Sequence, residues 1–129
     1  MEIRPTAAHP SKQEIVNRIE KVQAQISAQG LDAYVCHDPD NIFYLTNFAN
    51  FVHERPFILI IPANGAMIFL MPKLEEPHVR MRSVGQMEFV HYFEFPAPAG
   101  ETWSDRLQEI LAGYSNIGIE SQCPITVVN

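Results

Sequence analysis

Cysteine is scarce in this chain of 129 residues: Cys36 and Cys123 are the only two. Far apart and without CxxC spacing, they make neither a zinc site nor a disulfide framework. Cys36, in the apolar run Ala33-Tyr34-Val35-Cys36, reads as a buried structural thiol. Positive charge is also in short supply. Nine Lys and Arg stand against fifteen Asp and Glu, a formal net charge of −6. The cations are scattered, so the basic stripe that a phosphate backbone needs is missing and no nucleic-acid partner is expected. No apolar run approaches the ~20 residues of a membrane span, and no membrane partner is expected. The first residues, Met1-Glu2-Ile3-Arg4-Pro5, lack the charged and apolar regions of a signal peptide, which makes a cytoplasmic location the default expectation.

Catalytic motifs are missing as well. The histidines, His9, His37, His53, His78 and His91, include no i, i+4 pair of a helical metal site and no HExxH. Nor is there a GxSxG, a phosphate loop or a GxGxxG. Glu75-Glu76 reads as a solvated face. Asp38 and Asp40 read as a helix cap and a turn rather than as metal ligands.

What is present is the composition of an ordinary globular protein, 47 % hydrophobic and 19 % charged, at a length that suits one domain. Residues 1–11 read as an arm with two prolines and no periodicity, leading into a single domain over 12–129. Ser11-Lys12-Gln13-Glu14 has the form of a capping box. Ile15, Ile19, Val22 and Ile26 then follow at spacings of four, three and four, so a helix is predicted over 12–29, with Gly30 at its left-handed C-terminus. A short strand over 31–36 gives way to His37-Asp38-Pro39-Asp40 and a short helix over 41–45, capped by Asp38.

The segments 56–62 and 66–71 are apolar on both faces, and Ala63-Asn64-Gly65 between them supplies a tight hairpin turn with positive φ. Such strands belong in a sheet covered on each side. A helix over 72–82, a strand over 88–93, a helix carrying Trp103, Leu107, Ile110 and Leu111 up to Gly113, and a strand over 117–120 complete the series. The expected fold is therefore α/β, a three-layer sandwich with a mixed β-sheet flanked by helices. After 120 the residues look like entry into another element, which raises the expectation of a longer natural protein.

One loop stands out between Phe48 and Pro56, a segment on rigid supports that includes His53 and Arg55. Two positions apart on extended backbone, their side chains share a side. Together they suit a carboxylate, the arginine through a bidentate fork. Solvent-facing residues at the start of an edge strand are the simpler reading of the pair from the residues alone.

Asp38-Pro39-Asp40-Asn41-Ile42-Phe43-Tyr44-Leu45-Thr46-Asn47-Phe48 resembles the N-I-x-Y-L-T/S-G-F segment of the creatinase/prolidase/aminopeptidase P group. The stretch from Arg55 to Pro62, the hairpin to Met71-Pro72, the Gly30-Leu31-Asp32-Ala33 turn and Ile117-Gly118-Ile119-Glu120 continue in that family's register. Asn47 stands where glycine is usual, and asparagine also tolerates positive φ. The resemblance implies the family's ribonuclease H-like N-terminal domain and a metal-dependent Xaa-Pro dipeptidase or aminopeptidase as the parent enzyme. Its pita-bread catalytic domain, with two divalent ions (Mn, Co or Zn), is absent from this chain, so no catalytic and no metal-binding residue is expected here.

The implied partners are the chain's own C-terminal catalytic domain, further copies in a homo-oligomer such as a dimer, and a small peptide substrate. By register, His53 and Arg55 are implied to bind substrate in trans in a neighbouring subunit, His53 replacing an aromatic residue. A creatinase-like amidinohydrolase acting on a small non-peptide substrate is the alternative parent. A free-standing oligomerisation or binding module is the other.

Overall fold

The computed structural model describes residues 11–49, 55–94 and 97–120. Residues 1–10 of the arm, His53, Cys123 and the other residues after 120 lie outside them. Helix α1 (Lys12–Ala28) starts at Ser11, whose hydroxyl accepts from the Glu14 amide. Its Ile15 and Ile26 are buried, and Ile19 and Val22 pack at the border of the core. Strand β1 (Ala33–Cys36) leads into helix α2 (Pro39–Thr46). Asp38 caps α2 by accepting from the Asp40 amide, and Asn47 ends it in the left-handed conformation at φ 68°. Asparagine thus does what glycine does at a helix C-terminus.

Strands β2 (Ile58–Pro62) and β3 (Met67–Pro72) pair antiparallel, Ile60 opposite Ile68. Their connection spans 63–66, and Gly65 carries its positive φ of 93° while Asn64 does not. The segment predicted as one helix over 72–82 divides into a 3-10 turn (Lys73–Glu75) and helix α3 (Glu76–Arg82). Pro77 sits in the first turn of α3, where its missing N–H and fixed φ do no harm. Strand β4 (Met87–Tyr92), helix α4 (Trp103–Leu111) and strand β5 (Ile117–Ile119) follow. Thr102 and Asp105 form a reciprocal capping box at the start of α4.

The five strands order as β4-β3-β2-β1-β5. The pairs β1/β2 and β2/β3 are antiparallel, whereas β3/β4 and β1/β5 are parallel. This is the mixed sheet expected from the residues. Successive side chains divide between its faces. Phe57, Leu59, Ile61, Met67, Phe69 and Met71 pack with Ile42, Leu45 and Val79 on one side. Ile58, Ile60, Leu70, Ala33 and Val35 pack with Leu107 on the other. Helices α1, α2 and α3 therefore form one outer layer and α4 the other.

Candidate functional site

The strand directions bring three chain segments to one end of the sheet. Because β2 runs antiparallel to β3 and β4 parallel to it, the residue entering β2 meets those leaving β3 and β4. Arg55 enters β2; Glu75 follows β3; Glu94 follows β4. The Arg55 guanidinium donates to Glu75 Oε2 at 2.9 Å and to Glu94 Oε1 at 3.2 Å. Glu75 Oε1 also lies 3.2 Å from His78 Nδ1. Next to it, Glu76 accepts from Arg80 Nε at 2.7 Å and meets His91 Nδ1 at 2.8 Å. The buried Tyr92 hydroxyl donates to the Pro56 carbonyl at 2.9 Å, fastening β4 to the approach to β2.

The electrostatics follow from these pairs. The hydrogen bond Arg55 donates to Glu75, with help from Glu94, raises the guanidinium above its ordinary pKa, against desolvation. His78 and Arg55 lower Glu75, and Arg80 and His91 lower Glu76, in each case against a smaller opposing effect of burial. Burial pushes the Tyr92 phenol up. Arg55, Glu75 and Glu76 are thus held in their charged forms.

Arg55 was expected as an exposed cationic fork. Only 25 % of its side chain is exposed, and both terminal nitrogens already hold carboxylates. Glu75 and Glu76, expected on a solvated face, are mostly covered, with 24 % and 19 % exposure. Each serves as the shared acceptor of an arginine and a histidine. Asp38 caps a helix as expected, and Cys36 is buried as expected. Among the described residues, no group of three His, Cys, Asp or Glu side chains is arranged to hold a metal ion.

Glu120 was read only as the end of a strand. It is buried, and its carboxylate accepts from the His37 and Asp38 amides at 2.7 and 2.8 Å, from Asn41 Nδ2 at 2.6 Å and from Cys36 Sγ at 2.9 Å. Burial opposes ionisation, but these four donors outweigh it and leave the pKa lowered. The result is a clamp between the end of β5 and the start of α2. An acidic residue directly after an apolar strand was its one signal in the sequence.

A family model described as the Creatinase/Prolidase N-terminal domain matches residues 18–129. The chain belongs to that family. Among curated relatives of this creatinase/prolidase N-terminal domain, an uncharacterized peptidase of Staphylococcus haemolyticus is 37 % identical over 65 residues, 50 % of this chain and 18 % of its own length. One of Staphylococcus epidermidis is 25 % identical over 111 residues, 86 % of this chain and 31 % of its own. The chain thus spans less than a third of these relatives.

Solved structures agree in fold. The Creatinase/Prolidase N-terminal domain of an X-Pro dipeptidase from Streptococcus pyogenes superimposes with a TM-score of 0.70 at 19 % identity, covering 84 % of this chain and 85 % of that one. The N-terminal domain of an Xaa-Pro dipeptidase from Lactobacillus brevis gives 0.71 at 16 % identity, with 86 % and 85 % covered. The prolidase from Pyrococcus horikoshii gives 0.68 at 16 % identity, with 87 % of this chain and 28 % of that one covered.

Proposed function

We propose that this chain is the non-catalytic N-terminal domain of an Xaa-Pro dipeptidase- or aminopeptidase-like metallohydrolase. In this reading residues 1–11 are an arm and 12–129 one domain, working in the cytoplasm beside a C-terminal catalytic domain of the same protein. The two divalent ions belong to that catalytic domain, where they supply an activated water. Among the described residues, Glu75, Glu76 and Glu120 do not suit them, because internal donors already take these carboxylates. The domain's contributions are to oligomerisation and to the substrate pocket of a neighbouring subunit, through His53 and Arg55.

The observation that carries the reading is the family match over 18–129. The second contribution rests on the family register of His53 and Arg55 alone. The Arg55 guanidinium is fixed between Glu75 and Glu94, two positions after His53 in the sequence. Both terminal nitrogens are on carboxylates, so a substrate carboxylate has to share or displace Glu75 or Glu94 before the fork can hold it.

The test is kinetic, in the full-length enzyme. Arg55→Lys keeps the charge and loses the fork. If Arg55 binds substrate, kcat/KM for an Xaa-Pro dipeptide falls roughly tenfold or more, about 1.4 kcal/mol, and His53→Ala lowers it as well. Glu75→Gln serves as the control, since it disturbs the same ion pair without touching substrate. A lowered melting temperature with unchanged kinetics in all three variants would assign Arg55 to its own domain's architecture alone. Full activity on creatine-like compounds with none on Xaa-Pro peptides would overturn the peptidase assignment.

A further inference from the structure

The Arg55 guanidinium divides its two terminal nitrogens between two carboxylates. Nη2 donates to Glu75 at 2.9 Å and Nη1 to Glu94 at 3.2 Å. Each contact is single. A guanidinium holds a carboxylate most strongly through two parallel N–H bonds, so neither glutamate engages Arg55 in its strongest mode.

The two glutamates are not held alike. Glu75 is the last residue of the 3-10 turn and stands directly before α3, so regular structure supports it on both sides. Its second oxygen lies 3.2 Å from His78 Nδ1, and 24 % of its side chain is exposed. Glu94 stands just after the end of β4 and is 36 % exposed. Among the described residues, no donor other than Arg55 reaches its carboxylate. Glu94 therefore has the longer contact, the greater exposure and the fewer attachments.

Charge decides between sharing and exchange. One cation already faces two anions here, and a third carboxylate would add repulsion around a guanidinium that is itself mostly covered; like charges that close are costly away from bulk water. Exchange avoids this. One carboxylate leaves as another arrives, the hydrogen bond at Nη1 is replaced, and the cation is never left without a partner, the state that costs most. Glu94 is the member that can leave, because an exposed single ion pair is worth little. Glu75 would have to part from His78 as well.

We propose that Glu94 is a displaceable placeholder on Arg55 that determines which substrates gain the guanidinium. It occupies Nη1 while the site is empty and turns into solvent when a free substrate carboxylate takes that nitrogen. Glu75 stays on Nη2 and keeps the guanidinium in position. A substrate whose C-terminal group is neutral does not drive the exchange, since it offers Arg55 a weaker acceptor than the glutamate it would replace. Glu94 thus weakens the binding of free acids and screens Arg55 from neutral C-termini. This rests on the substrate-binding role proposed for Arg55 and says what that role requires of its neighbours.

The experiment is steady-state kinetics of the full-length enzyme on an Xaa-Pro dipeptide and on the same dipeptide with an amidated C-terminus. Glu94→Gln keeps the size of the side chain and removes its charge. KM for the free acid should fall roughly threefold or more, with the gain in KM rather than kcat, and KM for the amide should change less. Glu75→Gln removes the same charge beside the same guanidinium and should not lower KM, because Glu75 does not make way. A higher KM for the acid in Glu94→Gln would make Glu94 a support for Arg55 or a contact for a substrate cation, and overturns the proposal. So does an equal fall in the two glutamate variants, which would be an effect of net charge alone, or an unchanged KM in Glu94→Gln. If Arg55→Lys lowers kcat/KM while Glu94→Gln gives one of these contrary results, the placeholder fails and the role of Arg55 stands. If Arg55→Lys leaves kcat/KM unchanged, both fall together.

Discussion

The Glu120 carboxylate is a residue-scale case in which position in the sequence says little and partners say nearly everything. An acid after a strand ordinarily projects into water, yet here four donors converge on it from 36–41. These donors are separated from it by about eighty residues, so no local pattern announces them; the same holds for Arg55, whose partners lie 20 and 39 residues away. Glu120 is ionised when folded at neutral pH, and its folded pKa is below the ordinary 4.5. A group shifted down in this way contributes stability that is fully present above the unfolded pKa and is lost as pH falls through the folded one. Glu120→Gln sets an amide where two backbone N–H groups expect an anion, and should cost about 1.5–3 kcal/mol at neutral pH. The acid side of the stability curve should then become shallower. Urea melts of both proteins from neutral pH to below pH ~4 check this, with equal curves as the contrary result.

At the scale of elements, periodicity made most of the fold legible. The stripe Ile15, Ile19, Val22, Ile26 places α1, and the two runs apolar on both faces place β2 and β3 at the centre of the sheet. Where the expectation slipped, a backbone constraint decided. Pro77 cannot continue a helix begun at 72, because it lacks the N–H and its ring would clash with the preceding turn. The chain therefore closes a 3-10 turn first and starts α3 afresh around it. Depth within the stripe was not legible either, since it depends on how α1 lies against its neighbours. Ile15 is fully buried, whereas Ile19 only borders the core and its Cδ1 sits 3.2 Å from where a side chain on Gly85 would begin. Ile15→Ala should accordingly destabilise by about 2–5 kcal/mol, and Ile19→Ala by less. Denaturant midpoints of the two variants measure the difference, and a larger loss at Ile19 would contradict this account of the α1 contact.

Among the described residues, one sheet is shared by two apolar layers, and this determines how damage spreads through the molecule. Ile42 reaches the core on the α1–α3 side and Leu107 on the α4 side. They share no cluster, yet both clusters are lined by alternate residues of β2 and β3, so neither layer can unfold and leave the other supported. Side chains on opposite faces of a strand do not touch, which makes their energetic contributions independent even though their unfolding is not. Ile42→Ala and Leu107→Ala should each cost about 2–5 kcal/mol. The double variant should cost their sum within roughly 0.5 kcal/mol, provided the protein retains enough stability to be measured. Every variant should still unfold in one transition, with fluorescence of Trp103 on α4 and far-UV circular dichroism giving coincident curves. If the Trp103 signal instead melted separately in Leu107→Ala, α4 would be a dispensable cover on a sheet stabilised from one side only.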